Sequence, residues 1–211
     1  MLPKFVAATA AIQTTGITHT FSHTVAAGNN RILVVCVSFR NMVSSVTGVT
    51  YNGVALTQGA RGSNTDRNTD IWYLVNPATG ANDVVVTYDL DPADQVSGAA
   101  NFTGVSQVTP VASADSNIGN NTNPTLSLAA TPTQLIVAVG ATYPGGGSMT
   151  PLTPGTGTTE MWEDDSNAGG SGNIQGFAGY EAGAGGATVI DWTHPSTGDT
   201  WSMSGLVLNP V

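Results

Sequence analysis

The chain has 211 residues, of which 40% are hydrophobic and only 9% charged, with 26 glycines, 11 prolines and a net charge of −9. Enough apolar material is present to build a core, which excludes a disordered chain, while the scarcity of Glu, Lys and Arg excludes a helical protein with an ordinary helical surface. Lys4, Arg31, Arg40, Arg61 and Arg67 are the only Lys and Arg residues; phosphate neutralisation and anionic membrane surfaces both demand more positive charge, so neither nucleic acid nor membrane is an expected partner.

In chain order, Met1–Ala10 resembles the start of an export signal, but Thr9, Gln13 and Thr14 interrupt its apolar stretch, and it reads as mature sequence, a polar N-terminal segment ahead of the first expected strand. Ile17, His19, Phe21, His23 and Val25 then alternate with Ser and Thr, the period of a half-buried strand. Arg31–Phe39 is an unbroken apolar run, expected to be central and covered on both faces. Its single cysteine, Cys36, reads as a packing residue.

Asn52-Gly53 between Val46–Tyr51 and Val54–Thr57 is the signature of a tight hairpin. Residues 59–70 read as a Gly/Asn/Asp loop before the strand Ile71–Val75, and Val84–Tyr88 leads through an acidic turn, 89–94, into Val96–Val105. Residues 110–123 read as a linker.

The series then starts again. Gln134–Ala141 echoes the run at Arg31, ATVIDW ending at Trp192 echoes DVVVTY ending at Tyr88, and Phe102 falls opposite Leu206. A duplication of this kind predicts two pseudo-repeats, 17–109 and 124–211, within one domain spanning 1–211. Short strands separated by regular turn signals predict an all-β fold, an antiparallel β-sandwich of jelly-roll type built from a duplicated Greek-key half.

Chemistry-bearing groups are few. No Gly-x-Ser-x-Gly elbow or P-loop is present. His19 and His23 lie about 13 Å apart along one strand, too far to share a zinc ion. Concanavalin-like glucanases carry a Glu-x-Asp-x-x-Glu pattern that this sequence lacks. Two acidic turns stand out. Asp89, Asp91 and Asp94 form an oxygen-rich turn of the kind that suits calcium, and Glu163, Asp164 and Asp165 flank Trp162, the tryptophan expected to be exposed and to stack on a sugar. Trp192 and Trp201 sit in apolar patterns and are expected in the core.

The phrases NRILVVCVSF, VTGVTYNGVALT and WYLVNPATGANDVVVTYD resemble jelly-roll β-sandwich proteins of bacterial surfaces and of tailed-phage virions. This resemblance implies a fold and a setting without a catalytic site. The expectation is a non-enzymatic virion component, such as a head decoration, fibre or tail accessory protein. It would assemble in the host cytoplasm, be released by lysis, and work as a homo-oligomer or bound to a lattice of other virion or surface proteins. The alternative is a secreted, extracellular carbohydrate-binding or adhesion module that recognises glycans with the help of calcium.

Overall fold

The computed structural model describes residues 1–143, 150–166, 173–195 and 200–211. Among them every regular element is a strand, and every pairing is antiparallel. The first half contributes β1 (Lys4–Gln13), β2 (Thr18–Val25), β3 (Ile32–Arg40), β4 (Val46–Tyr51), β5 (Val54–Ala55), β6 (Thr57–Asn64), β7 (Arg67–Val75), β8 (Gly80–Tyr88) and β9 (Asp94–Thr103). The second contributes β10 (Val111–Gly119), β11 (Thr125–Ala130), β12 (Leu135–Thr142), β13 (Thr153–Pro154), β14 (Thr159–Asp165), β15 (Gln175–Ala182), β16 (Gly186–Thr193) and β17 (Trp201–Leu208).

These strands form four sheets. Sheet I has the order β1-β9-β3-β7-β6 and sheet II the order β2-β8-β4-β5; sheet III, β10-β17-β12-β15-β14, and sheet IV, β11-β16-β13, repeat that arrangement. Sheets I and III pack face to face, and sheets II and IV cover their outer faces, giving a stack in the order II, I, III, IV.

The apolar runs of β3 and β12 follow from this layering. On a strand, alternate side chains point to opposite faces. Ile32, Val34 and Cys36 therefore join Leu135, Val137, Val139 and Ala141 between sheets I and III. Leu33, Val35, Val37 and Phe39 turn toward sheet II, and Ile136 and Ala138 toward sheet IV. A strand covered on both faces buries nearly every side chain, and Cys36 is accordingly buried, its thiol pushed far above its usual pKa by desolvation. Trp192 and Trp201 are both core residues of the sheet III–IV layer.

Asn52 and Gly53 carry φ values of 50° and 73°, the left-handed pair that a two-residue hairpin turn requires.

Three segments differ from the sequence reading. The linker expected at 110–123 contains β10, which pairs along β17 from Val111 to Gly119. The polar N-terminal segment is β1, paired along β9. The loop expected at 59–70 is the β6–β7 hairpin, turning at Thr65 and Asp66 with Thr65 at φ 57°. All three carry small or polar residues that score poorly as strand formers, and sheet pairing overrides that preference. Among the described residues the halves thus correspond strand for strand apart from β5, which has no counterpart, but with a shift: Leu208, not Leu206, stands opposite Leu135 as Phe102 stands opposite Ile32. A two-residue shift keeps the same face inward.

The outer edges of sheets I and III meet crosswise, β1 against β14 and β6 against β10. One end of this interface is apolar, with Phe5 stacked on Tyr180 at 5.2 Å. The other is polar: Ser38 Oγ donates to Gly140 O (2.9 Å), Thr69 Oγ1 lies 2.9 Å from Ser204 Oγ, and Asn64 Nδ2 donates to the carbonyls of Gly119 and Trp201.

Candidate functional site

At the polar end, three loops of the first half converge: 14–17, 41–45 and 89–93. The carboxylates read as calcium ligands hold them together. Asp89 Oδ1 accepts from the amides of Ser45 (2.7 Å) and Leu90 (2.8 Å), contacts led by Ser45 that keep its carboxyl below the usual carboxylate range. Asp91 Oδ2 accepts from Gly16 N (2.9 Å), its Oδ1 from Ala93 N (2.9 Å), and its carbonyl from Asn41 Nδ2 (2.9 Å). Asp94 is buried at the start of β9 and pairs with Arg40 Nε at 3.1 Å. The three acids thus bind backbone amides and an arginine, and among the described residues no group of three or more His, Cys, Asp or Glu is placed to hold a metal ion.

What these pinned loops present is apolar. Ile17 is 53% exposed, Met42 75%, Val43 69% and Leu90 51%. A cavity of about 310 Å³, lined by Arg40, Asn41, Met42, Asp66 and Ala93, opens beside them. Clustered apolar side chains on the tips of rigidly tied loops are the form of a contact surface. Replacing Asp89 with alanine is expected to speed amide hydrogen exchange at Ser45 and Leu90 without changing exchange in β3. Addition of calcium should leave the wild-type rates at those amides unchanged.

The second acidic segment differs from its sequence reading in both exposure and conformation. Glu160–Asp165 lies on the edge strand β14, so its side chains alternate between faces. Trp162, expected at the surface, is 7% exposed and packs between sheets I and III, where a Cβ at Gly98 would approach its Nε1 to 2.3 Å. Glu163 faces sheet IV, as its register partner Phe177 does. It accepts from Leu152 N (3.0 Å) and Gln175 Nε2 (2.5 Å), and desolvation raises its pKa. Asp164 Oδ1 accepts from Asp165 N (2.9 Å), and Asp165 is buried. The four residues therefore do not form one platform. The glycine clusters at 145–147 and 169–172 lie outside the described residues.

Around Glu163 is a set of polar groups that the sequence reading missed. Thr142, Gln175 and Asp165 are register partners in one row across β12, β15 and β14, on the face that carries Glu163. Ser166 and Ile174 extend the β14–β15 ladder, which places Asn173 two residues along from Gln175. Thr142, Asn173 and Gln175 are all buried, yet Thr142 Oγ1, Gln175 Oε1 and both side-chain polar atoms of Asn173 have no hydrogen-bond partner. Each such atom costs about 1–3 kcal/mol when left dry. In the first half the equivalent row pairs Phe39 with Asn68, and Phe39 fills its place against Tyr88 with ring centroids 5.3 Å apart. The available signal was the pair of amides in Asn173-Ile174-Gln175, entering an otherwise apolar strand.

His19 and His23 are also interior. His19 Nδ1 lies 3.2 Å from Ser97 Oγ; His23 bridges Thr9 Oγ1 (3.1 Å) and Asn101 Oδ1 (3.2 Å). Burial lowers both pKa values, that of His19 to about 4, so both rings are neutral at pH 7.

No protein-family model and no curated protein matches this sequence.

Proposed function

We propose that this chain is a non-enzymatic structural protein of a bacteriophage particle, a duplicated jelly-roll module that docks on a neighbouring virion protein through the loops 14–17, 41–45 and 89–93. The observation that carries this reading is the exposure of Ile17, Met42, Val43 and Leu90 on loops fixed by the Asp89 and Asp91 carboxylates. Because the loops are already ordered, docking would pay little conformational entropy. Asp89 and Asp91 at this end, with the overall charge of −9, favour a partner whose apolar socket is rimmed by Lys or Arg. Arg40, Arg61 and Arg67 are each engaged by an aspartate, which argues for a protein partner over nucleic acid.

Joint replacement of Met42 and Val43 by aspartate is the direct test. Stability should stay within about 0.5 kcal/mol of the parent, as for other surface substitutions. Mass spectrometry of purified particles should find the parent at high copy number and the variant missing. Parent absent from particles, or variant retained at full occupancy, refutes the reading. Burial of Trp162 removes the stacking surface of a carbohydrate-binding module, and glycan-array binding by the parent would restore that alternative.

A further inference from the structure

We propose that β2 (Thr18–Val25) is a strand-pairing edge for a second copy of this chain, joined antiparallel across a two-fold axis at Phe21. The pairing is independent of the docking reading, because it uses no side chain of the loops at 41–45 and 89–93.

The remaining edges of the molecule are covered or short. Strands β1, β6, β10 and β14 meet one another where sheets I and III join, and β5 and β13, at the far edges of sheets II and IV, have two residues each. With eight residues against six in β11, β2 is the longest edge strand outside that junction. Its backbone direction is fixed by its partners. Ile17 O accepts from Tyr88 N (2.8 Å) and His23 O from the Tyr51 hydroxyl (3.3 Å), both on the β8 side, so the odd-numbered residues turn their backbone groups into sheet II. Successive residues of an antiparallel strand alternate in this respect. The N–H and C=O groups of Thr18, Thr20, Ser22 and Thr24 therefore point out of the sheet edge, where Gln13 Nε2 reaches Thr18 O (2.9 Å).

Proteins blunt exposed edges with Lys, Pro or bulges. Strand β2 has no charged residue and no Pro, and its register with β8 runs unbroken from Thr18 to Val25. Asp83 on β8 is the only charged residue in the strands of sheet II. In a paired sheet its two copies would lie at least about 14 Å apart, beyond the screening length of about 8 Å.

The strand's own sequence selects the occupant. Thr18-His19-Thr20-Phe21-Ser22-His23-Thr24 is a chemical palindrome about Phe21. Antiparallel pairing of two copies at that point sets Thr18 opposite Thr24, His19 opposite His23, Thr20 opposite Ser22 and Phe21 opposite itself, so each residue meets its own kind on its own face. The outward-pointing residues become the hydrogen-bonded pairs, and sheet II continues from one chain into the next.

Sedimentation velocity of the full chain over a range of concentrations tests this, with a monomer–dimer equilibrium expected. Ser22→Pro removes one outward N–H without touching the β8 ladder, and Thr20→Lys puts a charge on the edge. Each change acts twice in a symmetric pair and should weaken dimerisation by about tenfold or more. Disulfide trapping reads the register: Thr18→Cys mixed with Thr24→Cys should cross-link on oxidation, since opposed residues lie about 5.5 Å apart, whereas either variant alone should not. Joint replacement of Met42 and Val43 by aspartate should leave the dimer intact. A parent that stays monomeric overturns the proposal. So does a dimer that survives both edge substitutions, that fails to trap between positions 18 and 24, or that is lost with Met42 and Val43.

Discussion

Trp162→Ala is expected to lower the stability of the folded chain by about 3–5 kcal/mol, the range for emptying a buried aromatic site. The indole lies between sheets I and III among Val96, Ala100, Ala178 and Ile174, and its place exists because position 98 has no side chain. Gly98→Ala should therefore be damaging on its own, costing about 1–3 kcal/mol as an overpacked contact. Combined with Trp162→Ala, it should add little, because the clash has gone. Urea unfolding of the two single variants and the double variant measures that coupling. A surface tryptophan would give neither the large loss nor the non-additivity. Additive costs would mean that Trp162 does not occupy the space above Gly98.

The second large effect is expected at Arg61. Asp70 is fully buried on β7; Arg61 Nε reaches both of its oxygens, at 3.1 and 3.0 Å, and Gln58 Nε2 donates at 2.6 Å. Desolvation outweighs these contacts and pushes the Asp70 pKa up to about 6. A carboxyl raised in the folded state binds its proton there more tightly than in the unfolded chain. Its contribution is therefore most favourable below about pH 4, declines as the pH rises toward 6, and stays at its lower value above that.

Arg61→Ala removes the charge that makes the ionised form tolerable. The loss should be small at pH 4–5, where the folded state of either protein keeps the proton, and should grow above pH 6. It should reach about 2–4 kcal/mol at pH 8, somewhat below the value for a fully buried pair because the Arg61 side chain is 38% exposed. Denaturation at both pH values separates the charge effect from packing. An equal loss at each would show that Arg61 acts only through its aliphatic stem.

The legible part of the fold was the part whose physics is local. Continuous apolar runs at β3 and β12 announced strands covered on both faces, and Asn52-Gly53 announced its turn. Strands β1 and β10 did not announce themselves. KFVAATAAIQ and VASADSNIG are edge strands, half-exposed or exposed along most of their length, and their partners in β9 and β17 are distant in sequence. The same limit applied to the sites. Charges beside Trp162 suggested exposure, but on a strand the neighbours face the opposite side and say nothing about the indole. Asp89 and Asp91 stood out as an oxygen-rich turn suited to calcium, yet their oxygens serve amides of loops more than forty residues away, a use that only the folded chain reveals.

The crosswise meeting of edges, β1 on β14 and β6 on β10, is the pattern of a two-fold homodimer interface, in which each copy offers the same surface to the other. Here both copies lie on one chain, joined through the short segment between β9 and β10. Their association is intramolecular, so it does not weaken on dilution as a true dimer would. It also frees the copies from having to be identical. Phe39 and Thr142 hold the same place in the two units: one closes a core, while the other leaves room for polar chemistry. A symmetric pair of separate chains could not divide its labour in this way.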